Sequence, residues 1–65
     1  MQNREMKYTI GHYEDSEDGK IFRVTKIVKC DSDAQAEHEV RRLCEDTEAA
    51  GYYIRRASNE WFARA

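Results

Sequence analysis

Two kinds of side chain in this sequence could do chemistry, the histidines and the cysteines, because both bind metal ions and both take part in nucleophilic catalysis. The chain has two of each: His12, Cys30, His38 and Cys44. They form no CxxC pair, and His38 begins HEVRR rather than the zinc pattern HExxH, since Arg42 replaces the second histidine. The spacing therefore predicts no metal site and no cofactor.

An acidic segment at residues 14–19, EDSEDG, resembles the first half of a calcium-binding loop. Ser16 interrupts the alternating carboxylates, and Thr25 stands where such loops carry a bidentate glutamate. The segment is therefore interpreted as a solvated turn. Ser16, Ser32 and Ser58 fall in predicted turns or caps, and the chain has only three glycines, so neither an activated nucleophile nor a phosphate-binding loop is predicted. We expect the protein not to be an enzyme.

The clearest predicted element is a helix within residues 31–51. Apolar and small residues recur there at helical spacing, at Ala36, Val40, Leu43, Cys44 and Thr47. Ser32 followed by Gln35 fits a capping box at the start of the helix, and Gly51 suits the left-handed position after the last turn. The stripe predicts an amphipathic helix with one face on a core.

Residues 7–13 and 20–30 are rich in β-branched and aromatic side chains, which predicts two strands. The polar segment between them predicts a hairpin loop longer than two residues. Strict alternation along the second strand would put these residues on one face: Phe22, Val24, Lys26, Val28 and Cys30. Ile21 and Ile27 would then lie on the other face, which predicts a bulge or partial cover of both faces.

After the helix, residues 52–57 and 60–65 flank Ser58-Asn59 and predict a second, tighter hairpin. The predicted fold is therefore of the α+β class, in the order β-β-α-β-β, with an antiparallel-rich sheet and one amphipathic helix packed on one face. We expect a single small domain over residues 1–65, with residues 1–6 flexible, as a monomer or a homodimer.

No apolar run approaches the ~20 residues that cross a bilayer, and the residues before Tyr8 lack the apolar stretch of a signal peptide. We therefore expect a cytoplasmic protein with no membrane partner. In that reducing compartment, Cys30 and Cys44 are expected to behave as small buried hydrophobic residues.

Charge is segregated along the chain, although 11 Lys and Arg against 13 Asp and Glu give a net charge of only -2. The predicted loop and helix are acidic, whereas residues 20–30 and the segment after the helix are basic. A face of one sign attracts partners of the other sign. The first hypothesis is that acids of the loop and helix bind a protein partner by competing for a cationic DNA groove. These acids are Glu14, Asp15, Glu17, Asp18, Glu37, Glu45 and Glu48.

The alternative for any one of these acids is an ordinary place on the helix surface, because Glu37, Arg41 and Glu45 are i,i+4 neighbours that can pair.

A second hypothesis is nucleic-acid binding by one face of the sheet. Its candidate residues are Tyr53, Arg55, Arg56 and Arg64, joined by Tyr13, Arg23 and Lys29. Aromatic rings stack on bases and cations contact phosphates. Against this hypothesis stand the pI of about 5.6 and the frequency of arginines on the solvated side of antiparallel sheets.

Taken whole, the chain resembles the small acidic proteins encoded by phages and mobile elements, of which anti-CRISPR inhibitors are the best described group. The resemblance rests on about 65 residues in a compact α+β domain, an acidic helix, DSDAQAEHEVRRLCEDTEAAG, and an acidic loop, EDSEDG. It implies a non-catalytic inhibitor that occludes a surface of a larger nucleic-acid-handling complex, such as a CRISPR-Cas effector subunit. The basic sheet departs from the most acidic DNA mimics and leaves ordinary occlusion of a protein surface open.

Overall fold

The computed structural model describes residues 5–65, which form four strands and one helix. In chain order these are β1 (Met6–Ser16), β2 (Gly19–Cys30), α1 (Asp33–Thr47), β3 (Gly51–Arg56) and β4 (Asn59–Arg64). The predicted α+β class and the order β-β-α-β-β are confirmed. Of the segment predicted to be flexible, residues 1–4 lie outside the described residues. Among residues 5–65, no helix is long and apolar enough to cross a membrane.

The strands form one antiparallel sheet in the order β2-β1-β3-β4, and α1 packs on one face of it, which we call the helix face. Alternate residues of each strand point to this face and build the core with three residues of the helix. The buried set is Tyr8, Ile10, Cys30, Ala36, Val40, Cys44, Tyr52, Ile54 and Ala63. The core is small and lies entirely between the helix and the sheet, as the amphipathic stripe predicts.

Within residues 5–65, no helix lies on the other side of the sheet, and we call this side the open face. By the strand register it carries Lys7, Thr9, Gly11, Tyr13 and Asp15 from β1, and Lys20, Phe22, Val24, Ile27 and Lys29 from β2. It also carries Gly51, Tyr53 and Arg55 from β3, and Glu60, Phe62 and Arg64 from β4. Most of these side chains are exposed or half-buried.

A bulge in β2 decides which of its residues belong to which face. Ile10 pairs with Lys26 and Gly11 pairs with Val24, so Thr25 is an extra residue on β2. One extra residue reverses the alternation. Val28 therefore joins the helix face, whereas Val24 lies on the open face. Of the two alternatives that the sequence left open for this strand, the bulge is present.

The loop of the first hairpin is shorter than predicted. Ser16 pairs with Gly19, so the loop contains only residues 17 and 18 and the expectation of a longer loop is wrong. The acids at 14 and 15 are strand residues because each forms an ion pair with a cation on β2. The Glu14 carboxylate is 2.6 Å from Nε of Arg23, and the Asp15 carboxylate is 3.6 Å from Nζ of Lys20. Cross-strand charge pairs make a polar segment compatible with a strand.

The two ends of α1 differ in how well the sequence predicted them. At the start, the Ser32 hydroxyl accepts a 3.2 Å hydrogen bond from the Gln35 amide, and the Gln35 side chain accepts one of 2.8 Å from the Asp31 amide. The capping role of Ser32 is confirmed. At the end, the left-handed residue is Glu48, with φ 60°, and not Gly51, which begins β3.

Candidate binding face of the sheet

Four aromatic rings cross the open face in a continuous row, one from each strand. In sheet order they are Phe22, Tyr13, Tyr53 and Phe62. Successive ring centroids lie 5.2, 5.1 and 5.0 Å apart, and each pair packs edge to face. This geometry is favourable for aromatic pairs. We call these four residues the aromatic row.

Two glycines make room for the ends of the aromatic row. A Cβ atom on Gly11 would lie 3.0 Å from the Phe22 ring, and one on Gly51 would lie 2.7 Å from Cζ of Phe62. Each phenylalanine therefore covers a glycine on the neighbouring strand, which compensates for the missing side chain there. Any larger residue at Gly11 or Gly51 would displace a ring or the backbone beside it.

Arg55 lies beside the row and stacks on it. Its guanidinium carbon is 3.9 Å from the centroid of the Phe22 ring and 5.8 Å from that of Tyr13. Arg55 Nε donates to Glu60 Oε1 at 2.6 Å, and the Tyr13 hydroxyl donates to the same carboxylate at 2.7 and 2.9 Å. These hydrogen bonds, that of Arg55 first, hold the pKa of the Glu60 carboxyl below its usual value. Glu60 is therefore a carboxylate at neutral pH.

Three cations elsewhere on the open face have no acidic partner within residues 5–65. Lys7 and Lys29 stand directly opposite each other on β1 and β2, and Arg64 lies at the end of β4. Within residues 5–65, none of the three makes an ion pair with an acid. Like charges at opposed positions of a sheet repel, so the two lysines favour an anion between them.

Exposed apolar residues complete the open face. Val24 is 53% exposed, Ile27 is 55% exposed and Phe62 is 46% exposed. The face thus combines aromatic rings, aliphatic side chains and cations that have no acidic partner within residues 5–65. It can pack against flat apolar groups that carry negative charge.

Of the sheet residues predicted to bind nucleic acid, the structure brings Tyr53, Arg55 and Arg64 together on the open face. It places Arg56 on the helix face, where Nε donates to Asp33 at 2.9 Å. The hydrogen bonds from Arg56 and from Tyr8 hold the pKa of the Asp33 carboxyl below its usual value. Arg56 therefore joins β3 to the start of α1.

The predicted acidic residues lie in three separate places. Glu14, Asp15, Glu17 and Asp18 lie at the tip of the β1–β2 hairpin, Glu37 lies beside β4, and Glu45 and Glu48 lie at the end of α1. Glu14 and Asp15 are engaged with cations of β2. Glu37 accepts a 2.9 Å hydrogen bond from the Trp61 indole.

The candidate metal ligands are divided between the core and the surface. Cys30 and Cys44 are buried, and burial raises the pKa of both thiols. His12 and His38 are exposed. Among residues 5–65, no three His, Cys, Asp or Glu side chains are arranged to hold a metal ion.

Sequence reasoning missed Phe22 and Phe62 as members of the open face. The available signal was the presence of at least one aromatic residue on every strand of both hairpins, including Tyr13 and Phe22 in the first and Tyr53 and Phe62 in the second. This signal places the rings on one face only when the strand register of the second hairpin is known. The predicted turn at Ser58-Asn59 lies one residue away from the observed one at Ala57-Ser58, which shifts the cross-strand pairing by two residues.

Comparison of the chain with protein-family models, with curated proteins and with solved structures finds no match. What the protein binds is therefore inferred from its own residues.

Proposed function

We propose that the protein is a non-catalytic binding protein that holds single-stranded nucleic acid on the open face of its sheet. The observation that carries the proposal is the aromatic row, which presents one ring from every strand on a face that also carries cations with no acidic partner among residues 5–65. Unpaired bases stack on such rings, and each stacked base contributes about 1–3 kcal/mol.

The position of the cations fits a strand that crosses the sheet. Lys7 and Lys29 lie on the β2 side of the open face, and Arg64 lies at the opposite edge of the sheet. Phosphates at these positions would leave the bases over the aromatic row between them. Neutralising three phosphates of a single strand gives a slope of about -2 for log affinity against log salt concentration.

The acidic pI does not oppose this arrangement, because the acids of α1 and the proposed ligand are on different sides of the molecule. Glu39 and Glu45 belong to α1, which covers the helix face, and Glu48 caps the carboxyl end of α1. On the open face, Asp15 and Glu60 are each paired with a cation of the same face. The open face is therefore the positive side, and repulsion from the helix would orient nucleic acid toward it.

The test is the affinity for a fluorescent oligo(dT) measured by anisotropy over a salt series. We expect binding that weakens with a slope of about -2. The double variant K7Q/K29Q should lower the magnitude of that slope by about 1.4, since two phosphate contacts are lost. The matched control R41Q/R42Q removes the same charge from α1 and should leave the slope unchanged. Absence of binding to single-stranded DNA or RNA at low salt would refute the proposal.

A second proposal retains the acidic surface: the protein blocks a protein partner, in the manner of an anti-CRISPR inhibitor acting on a CRISPR-Cas effector subunit. It is supported by Glu45, Asp46 and Glu48, which lie at the carboxyl end of α1 where the last turn has no basic residue. Acids at that end oppose the helix dipole and lower stability, so folding does not account for them. Both proposals place the protein in the cytoplasm.

A pull-down from bacterial lysate separates the two proposals when it is run with and without nuclease. Recovery of a defined protein complex that resists nuclease, and is lost with E45Q/D46N/E48Q, supports the second proposal, in which the acidic surface binds a protein. Recovery that depends on nucleic acid, and is lost with K7Q/K29Q, supports the first proposal, in which the open face binds nucleic acid.

A further inference from the structure

Arg55 covers one end of the aromatic row. Its guanidinium lies 3.9 Å from the centre of the Phe22 ring, a distance at which the two planar groups are in contact. A base stacked on that side of Phe22 would occupy the same space. At the other end of the row, Phe62 is 46% exposed and carries no such cover.

Glu60 holds Arg55 in this place. The two residues are cross-strand partners on β3 and β4, and their side chains meet at 2.6 Å. Arg55 Nη2 also donates to the Tyr13 hydroxyl at 2.9 Å, while that hydroxyl donates to Glu60. A free arginine side chain samples many rotamers, and these contacts select the one that reaches Phe22 across β1.

The contact is accessible to a ligand. The Arg55 side chain is 44% exposed and that of Glu60 is 34% exposed. Ion pairs this exposed contribute little to stability, so separating them is inexpensive. A phosphate offers Arg55 the same bidentate geometry as a carboxylate, with a higher charge density.

Resting on the nucleic-acid proposal above, we propose that Glu60 is a specificity-determining residue that keeps Arg55 over Phe22 in the free protein. A bound phosphate draws Arg55 away from Phe22, and the exposed ring then stacks on a second base. The ligand class is a single-stranded nucleic acid of at least two nucleotides, one stacked near Phe62 and one on Phe22. Glu60 then lowers the affinity for shorter or non-phosphorylated ligands, which cannot displace Arg55.

Two single variants test this inference, E60Q and D15N. Each removes one acid from the open face and leaves its cation, Arg55 or Lys20, without a partner. E60Q should tighten oligo(dT) binding by about tenfold, equivalent to ~1.4 kcal/mol, because Phe22 no longer has to be uncovered. D15N should tighten it by less than about threefold, as expected from the loss of one exposed charge.

A third variant distinguishes uncovering of Phe22 from simple electrostatics. F22L keeps an apolar side chain over Gly11 but has no ring to stack on. The gain from E60Q should disappear in the double variant E60Q/F22L. NMR of the free protein gives an independent measurement: the Arg55 side-chain protons should show an upfield ring-current shift in the wild type that is lost both in E60Q and on addition of oligo(dT).

Three results would overturn the inference. If E60Q and D15N tighten binding equally, or if the E60Q gain persists in the F22L background, Glu60 acts only through its charge and the nucleic-acid proposal still stands. If Arg55 keeps its ring-current shift when oligo(dT) is bound, Phe22 is not uncovered. If no variant binds oligo(dT), both this inference and the proposed function fail.

Discussion

The hydroxyl of Tyr8, at the centre of the sheet, donates a 2.7 Å hydrogen bond to the carboxylate of Asp33 in the first turn of α1. Arg56 donates to the same carboxylate at 2.9 and 3.3 Å. One acid thereby joins β1, β3 and the start of the helix. This network lies on the helix face and is independent of the proposed binding surface.

Tyr8→Phe should lower the free energy of unfolding by about 1.5–3 kcal/mol, because the hydrogen bond that it removes is to a charged acceptor. Tyr52→Phe is the matched control. The Tyr52 hydroxyl shares a 2.9 Å hydrogen bond with Thr47, a neutral group, so its loss should cost only about 0.5–1 kcal/mol. Urea titrations at neutral pH measure both values. Equal losses in the two variants would show that the charge of Asp33 adds nothing.

Stability should also fall at high pH through Tyr8. Burial, followed by the hydrogen bond to Asp33, raises the pKa of Tyr8 from 10.0 to about 12. The unfolded chain therefore releases this proton before the folded chain does. The contribution of neutral Tyr8 is present below pH ~10 and is lost as the pH rises toward ~12. Urea midpoints from about pH 9 to about pH 11.5 should fall more steeply in the wild type than in Tyr8→Phe, and parallel curves would contradict this.

The turn between β3 and β4 contains backbone strain that a single substitution can relieve. Ala57 has φ 54°, in the left-handed region where a Cβ atom costs about 1–2 kcal/mol. Ala57→Gly should therefore raise the free energy of unfolding by ~0.5–1 kcal/mol after the entropy of the unfolded glycine is subtracted. Ala50→Gly is the control, since Ala50 is exposed but has no positive φ, and it should lower stability by about 0.5–1 kcal/mol. Thermal melts that show losses in both variants would refute the role of the turn.

The helix and the order of the elements along the chain, β-β-α-β-β, could be predicted because their signals are local, whereas the order of the strands in the sheet could not. The predicted stripe needs only the period of a helix, and three of its five residues, Ala36, Val40 and Cys44, are the buried ones of α1. Leu43 is half-buried and Thr47 is exposed. The end of the helix was harder to predict. Glu48 adopts the left-handed conformation in place of Gly51, which lies under the Phe62 ring instead. No local pattern distinguishes these two roles of a glycine.

The aromatic row could not be assembled from the sequence, because it depends on contacts between distant residues. Tyr13 and Tyr53 meet only through the pairing of β1 with β3, which the sequence does not specify. Phe22 reaches the open face only because the bulge at Thr25 reverses the alternation of β2. By contrast, the acids of the first hairpin are prominent in the sequence, yet Glu14 and Asp15 are paired with their own strand neighbours.

The sharpest prediction on the aromatic row concerns Phe62, the ring with the most room for a base. Phe62→Leu keeps an apolar side chain over Gly51 but removes the ring, and it should weaken oligo(dT) binding by about tenfold, since a stacked base contributes about 1–3 kcal/mol. Ile21→Ala is the control. Ile21 is 42% exposed, close to the 46% of Phe62, but it points to the opposite side of the sheet from Phe22.

Anisotropy at one low salt concentration, with circular dichroism to verify folding, compares these two variants directly. Loss of affinity in Phe62→Leu alone would place the base on the row. Equal loss in both variants would indicate a nonspecific effect of exposed apolar area, and no loss in either would remove Phe62 from the site. Because stacking depends little on salt and phosphate contacts depend strongly on it, the Phe62→Leu defect should persist unchanged across the salt series, whereas that of K7Q/K29Q should shrink as salt rises.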